Sequence, residues 1–215
     1  MNRYVTELIG TFFLVLTIGM VVVGGTPLAP IAIGSMLMVM VYMGGHISGA
    51  HYNPSVTIAL FLRGVTPKAD VLPYIAAQIF GAWLAASTVQ LITGETFAPA
   101  PGADYSIVQA LLAEVLLTFA LVIVIFNVAV SKATQGNSYY GLAIGFVVTA
   151  GAFTVGGVSG GAFNPAVGTG PILVDGLMGD GGFGNLWLYW VGPIAGALGA
   201  LAVFGMQEGP AESED

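Results

Sequence analysis

Two short stretches carry residue types that could do chemistry: Ser48-Gly49-Ala50-His51-Tyr52-Asn53-Pro54-Ser55-Val56 and Ser159-Gly160-Gly161-Ala162-Phe163-Asn164-Pro165-Ala166-Val167. In each, a Gly-rich segment runs into Asn-Pro and then a brief apolar run. Asparagine caps helix N-termini well, and proline suits the first helical position because its missing N–H costs nothing there. Pro54 and Pro165 are therefore read as the starts of two helices, with Asn53 and Asn164 as their caps. A helix N-terminus carries about half a positive charge, and an asparagine amide donates hydrogen bonds. That chemistry orients a passing oxygen; it makes and breaks no bond. No nucleophile–base pair and no metal-ligand set accompanies it, so no catalytic residue and no metal is expected.

These helices are short. The first runs from Pro54 to Leu62 and stops before Arg63-Gly64; the second meets Gly170-Pro171 and is expected to fade by Val174. At 1.5 Å per residue each is about 15 Å long, half of a roughly 30 Å hydrocarbon layer. Two of them, entering from opposite faces and meeting tip to tip, make one span.

The surrounding chain supplies that layer. Its 215 residues are 56% hydrophobic and only 7% charged, with a mean hydropathy of +0.91. Soluble domains carry about a quarter charged residues, so this composition excludes an ordinary soluble globule. The net charge of −7 argues against a nucleic-acid partner. With no cysteine, disulfides and thiolate metal sites are excluded. Six long apolar segments are expected to span, at Tyr4–Val23, Ala29–Gly45, Ala69–Ile92, Ile107–Val130, Tyr139–Gly157 and Trp187–Met206. The first lacks a small-residue cleavage site and reads as a retained span. Six spans place Arg3, Arg63, Lys68 and Lys132, the 4 basic residues, on one face. The positive-inside rule makes that face, and both termini, cytoplasmic. The domain reading is one membrane unit over residues 1–206, followed by an acidic tail at 207–215.

The halves repeat (about residues 1–95 and 105–206). Thr6-Glu7-Leu8 matches Ala113-Glu114-Val115, the Asn-Pro stretches match, and Tyr74, Gly81 and Ala85 match Tyr189, Gly196 and Ala200. Three spans per half is odd, so the second half sits inverted. Inverted repeats put the working site near the midplane, at broken helices.

This order of features resembles the aquaporin and aquaglyceroporin family over nearly the whole chain. The resemblance rests on Gly45 to Ser55, on Ser159 to Ala166 and on the paired Glu7 and Glu114. It implies an all-α membrane protein with six transmembrane helices and two re-entrant half-helices in two inverted repeats. It also implies a homotetramer in the bilayer and a passive channel for water or small uncharged solutes, without a cofactor. Glu7 and Glu114 would accept N–H groups of the re-entrant loops. The family's outer filter maps to Ile33, Ala152, Gly161 and Val167. Most members have Arg where Val167 stands, water-selective ones often have His at Ala152, and glycerol channels usually have Asp at Gly168. The expected filter is apolar and wide, for a permissive pore that carries ammonia, hydrogen peroxide, urea or small polyols beside water.

Other readings compete with this one. A secondary transporter would need a coupling-ion site, and a non-conducting junction protein would keep the fold without flux. His46 and His51 read as structural groups, and Met36, Met38, Met40 and Met43 as packing residues. Ser55, where the family has Ala, is a mild departure.

Overall fold

The structure, a computed structural model, describes residues 1–208. The acidic tail expected at 207–215 falls outside the described residues from 209 onward. Eight α-helices follow one another: α1 (Asn2–Val23), α2 (Ala29–Ser48), α3 (Pro54–Leu62), α4 (Lys68–Thr93), α5 (Ile107–Ile125), α6 (Tyr140–Ser159), α7 (Pro165–Met178) and α8 (Leu188–Glu208). Six of them are long and apolar enough to cross a bilayer, and α3 and α7 are the two half-helices. Less than half of each spanning stretch is buried within the chain. The outward residues are apolar, as Val5, Ile9 and Phe13 on α1 illustrate. A water-facing helix would show charge on that side.

The repeat is visible in the packing. Helix α1 lies on α4 as α5 lies on α8, and α2 meets α6 across the pseudo-twofold axis. Glycines let equivalent crossings close up. A Cβ on Gly81 would lie 2.5 Å from the Leu8 carbonyl oxygen, and one on Gly196 would strike the Val115 carbonyl. Leu8 and Val115 are themselves repeat-equivalent. The small residues therefore serve close helix approach.

The second half-helix departs from expectation. It runs on through Gly170-Pro171 to Met178, 14 residues in all. Proline past the first turn forfeits one backbone bond but does not stop a helix held from outside. Gly170 marks a contact instead: its Cα abuts Ala82 of α4, where a Cβ would sit 2.5 Å from the Ala82 carbonyl carbon. The fourth span also ends differently, since Phe126–Val130 forms a π-turn. Loop side chains bond the carbonyls there, Thr134 Oγ1 donating to Asn127 and Asn137 Nδ2 to Val128.

Arg3 pairs with Asp70, which also accepts the Tyr4 hydroxyl at 2.7 Å, tying α1 to the start of α4. Arg63 lies over the Phe204 ring at 4.9 Å, and Ser131 bonds Glu208. These contacts set Arg3 and Arg63 at one end of the bundle, where Lys68 opens α4 two residues before Asp70 and Lys132 follows Ser131. Arg63 also ends α3, where a cation complements the helix dipole.

Candidate functional site

The site is built where α3 and α7 meet. Asn53 holds an extended backbone (φ −155°) and its Oδ1 accepts the Ser55 N–H at 2.9 Å. Asn164 does the same for α7 (φ −160°), accepting the Ala166 N–H at 2.9 Å. Each cap therefore points its amide nitrogen beyond its own helix. Asn53 Nδ2 donates to the Phe163 carbonyl at 2.9 Å, and Asn164 Nδ2 donates to the Tyr52 carbonyl at 2.8 Å. The two half-helix tips are thereby cross-tied, each to the loop that leads into the other. One N–H of each amide is used in the tie, and both asparagines line the cavity beside them.

The loops are shaped from behind by two buried carboxylates. Glu7 Oε1 accepts the Ser48 hydroxyl (2.6 Å) and the His51 N–H (3.0 Å), and Oε2 accepts the Tyr52 N–H (2.7 Å) and Gln78 Nε2 (2.8 Å). Glu114 accepts Ser159 Oγ (2.7 Å), the Ala162 N–H (3.1 Å) and the Phe163 N–H (2.7 Å). Both glutamates have no exposed surface. A buried charge is tolerated when its lone pairs are this fully occupied. Tyr74 and Tyr189 complete the symmetry, donating their hydroxyls to the Ser48 and Ser159 carbonyls at 2.7 and 2.6 Å.

The loop N–H groups are drawn to the carboxylates, and the carbonyls of the same residues are left to the cavity side of the backbone's hydrogen-bond balance. Left-handed conformations at Gly49, Ala50 and Tyr52, and at Gly160, Gly161 and Phe163, make that division possible. Among the described residues the carbonyls of Gly49, Ala50 and His51, and of Gly160, Gly161 and Ala162, accept no hydrogen bond from the protein. All six residues line one cavity of about 430 Å³ that also touches Asn53 and Asn164. Irregular backbone at membrane depth persists only where it lines such a cavity.

Ile33, Ala152, Gly161 and Val167 line the same cavity, reached from α2, α6, the second loop and the first turn of α7 respectively. Gly168 faces away from it. A Cβ there would collide with Tyr189, whose buried ring fills the space an acidic side chain would need. His51 lines the cavity with its Nδ1 3.1 Å from Thr57 Oγ1, whereas His46 is exposed at the end of α2.

Sequence reasoning passed over the connection between the repeats. Phe97, Ala98, Pro99 and Ala100 also line the cavity. The loop is strapped down by the Gly102 N–H donating to the Val158 carbonyl at 3.0 Å, and Pro99 packs on Gly160. Its signal was Phe97, a large apolar residue in a linker made mostly of Ala, Pro and Gly; its ring is buried against Gly19. Gln78 was missed as well, since a single amide in an apolar helix has no repeat partner.

Ser55 has a cost. Its Oγ is fully buried and makes no hydrogen bond among the described residues. Ser55→Ala is expected to raise stability by about 1 kcal/mol, the penalty of a buried unpaired hydroxyl. A higher melting temperature in detergent with unchanged flux is the expected reading.

Comparison with known proteins follows the same lines. Residues 1–204 match the family described as major intrinsic protein. The chain is 37% identical over 216 residues to a putative aquaporin NIP4-1 of Arabidopsis thaliana, covering 95% of this chain and 74% of that one. It is 42% identical over 180 residues to a probable aquaporin AqpM of Archaeoglobus fulgidus, covering 77% and 70%. Its fold matches the X-ray structure of the aquaglyceroporin from Plasmodium falciparum with a TM-score of 0.77 at 22% identity, covering 95% and 96% of the two chains.

Proposed function

The chain belongs to the major intrinsic protein family, and from that premise we propose that its cavity is a permissive pore. It passes water together with small uncharged solutes such as ammonia, hydrogen peroxide, urea or small polyols, and excludes ions and protons. The observation that carries this reading is the reciprocal tie of Asn53 and Asn164 across the tips of α3 and α7. Two half-helix ends aimed at one point add about one positive charge there, which opposes cations. The second amide N–H of each asparagine donates to a passing oxygen and turns it, which interrupts a chain of hydrogen-bonded waters. Above and below, the unpaired carbonyls of the two loops replace part of the solute's hydration. Glu7 and Glu114 act as supports that fix loop shape, not as proton relays.

Ile33, Ala152, Gly161 and Val167 form the outer filter. Their small or apolar side chains bring no fixed charge, and this favours breadth over strict water selectivity. Residues 1–206 work as one channel domain, one pore per protomer, in a homotetramer. The protein is an integral multi-pass membrane protein. Clustering of the four basic residues at one end supports a cytoplasmic placement of both termini in the cell membrane.

Stopped-flow light scattering on proteoliposomes tests this reading. Water, ammonia and urea fluxes are expected to rise in proportion to concentration, with no proton leak by an internal pH dye. Water flux alone would refute the permissive pore. Saturable, gradient-coupled uptake would instead indicate a secondary transporter, and no permeability change a junction protein. Val167→Arg is expected to slow urea and larger solutes by about tenfold, as a steric and donor change at the filter worth about 1.4 kcal/mol would. Unchanged uptake would remove Val167 from the filter.

A further inference from the structure

We propose that Asp175, eleven residues along α7 from Asn164, is a positioning residue for the outer mouth of the pore. By holding Thr96 it fixes the linker residues Phe97 to Ala100 against the cavity and so sets how wide that mouth is. The inference rests on the channel reading above and deepens it.

The carboxylate is out of place by local rules. Helix α7 ends at Met178, so Asp175 lies in its last turn, where the helix dipole disfavours a negative charge. A tertiary contact offsets that cost. Thr96 Oγ1 donates to Asp175 Oδ1 at 2.5 Å, across 79 residues of chain. The loop that follows α7 leaves room for the pair with glycines. A Cβ on Gly179 would sit 2.3 Å from Thr96 Oγ1 and 2.5 Å from Asp175 Oδ1, and one on Gly181 would meet Asp175 Oδ2 at 1.9 Å. Phe183 then folds back on Gly176, where a Cβ would strike its ring. A helix that faded by Val174 could not present Asp175 from a rigid turn.

Thr96 directly precedes the four linker residues that line the cavity, Phe97, Ala98, Pro99 and Ala100. The Gly102 N–H pins the other side of this stretch, donating to the Val158 carbonyl at 3.0 Å. Phe97 is wedged between α1 and α4: a Cβ on Gly19 would lie 2.4 Å from its ring and 2.6 Å from Val89. The lining stretch is therefore clamped at both ends, once on α6 and once on α7. Helix α7 also carries Val167 and starts at the Asn164 cap, so one rigid element locates the midplane, the filter and the mouth together. Loss of the Thr96 tie opens the first clamp and lets the linker draw back from the cavity.

The test measures the urea-to-water flux ratio in proteoliposomes of the full chain, together with amide hydrogen exchange over residues 95–102. Thr96→Val removes the donor at nearly constant shape, and Asp175→Ala removes the acceptor. Each is expected to raise the ratio by about threefold, the scale of one hydrogen bond, and to speed exchange in the linker. Thr96→Ser and Asp175→Asn keep a donor and an acceptor and should hold the wild-type ratio. The double variant Thr96→Val/Asp175→Ala should go no further than either single change, because both break one contact. A wild-type ratio in both Thr96→Val and Asp175→Ala, with water flux intact, would overturn the inference and leave the channel reading standing. The pair would then support the fold without setting the mouth. Additive effects in the double variant would overturn it too. Absence of water flux in the unaltered protein would instead overturn the channel reading. Should Asp175→Ala not fold, Thr96→Val and its comparison with Thr96→Ser decide.

Discussion

Glu114→Ala is expected to leave little folded protein. The substitution removes the acceptor for Ser159 Oγ and for the Ala162 and Phe163 N–H groups, all buried. Each of the three stranded donors costs about 1–3 kcal/mol, so the loss of about 3–9 kcal/mol is of the same order as a typical stability of about 5–15 kcal/mol. The loop that sets Phe163 and Asn164 would relax, and with it the tie to Asn53. Melting in detergent and trypsin sensitivity would report this, and wild-type values for both would show that Glu114 does not hold the loop. Glutamine substitutions should separate the two halves. In Glu7→Gln the new amide N–H₂ confronts donors, but Gln78 stands beside it with its Oε1 buried and unpaired. A flip of Gln78 supplies an acceptor. The repeat-equivalent position is Pro193, which supplies nothing. Glu114→Gln should therefore be the more damaging of the two by about 1–2 kcal/mol.

Asn164→Asp is expected to open the pore to cations. The carboxylate still caps α7, since Oδ1 keeps its bond to the Ala166 N–H and a negative charge suits a helix N-terminus. What changes is the tip. The amide that donated to the Tyr52 carbonyl becomes an oxygen facing an oxygen, so the tie opens. One full negative charge also cancels the two half-charges of α3 and α7, the barrier that the proposed mechanism relies on. At about 5 Å and an effective dielectric of about 20, a carboxylate attracts a monovalent cation by roughly 3 kcal/mol, or about a hundredfold in occupancy. Cation currents in planar bilayers should appear together with lower water flux. A variant that conducts water normally and still rejects cations would place the ion barrier elsewhere than at Asn164.

Most of the architecture was legible because it follows from rules local in sequence. Asn-Pro after a glycine-rich run can only end an irregular segment and begin a helix, and α3 spans Pro54–Leu62 as that rule requires. Apolar length fixed the six spans within a few residues. The second half-helix was misjudged because Gly170-Pro171 reads locally as a stop. Its glycine is there for contact with Ala82, a residue far away in the chain. The same limit hid Phe97 to Ala100, which come to the cavity only because the linker is pinned to α6 and the second loop.

The sequence by itself determined that this chain lives in a bilayer, that it is doubled and inverted, and that two helix tips carry an asparagine each. Those properties depend on composition, length and capping, which neighbouring residues settle among themselves. The family resemblance implied that Glu7 and Glu114 take the loop N–H groups, and only the tertiary structure decided which groups each oxygen holds. Glu7 on α1 and Glu114 on α5 pull the loop N–H groups to one side, across 44 and 48 residues of chain to His51 and Ala162. The carbonyls are left beside the cavity, and the solute meets that choice of side.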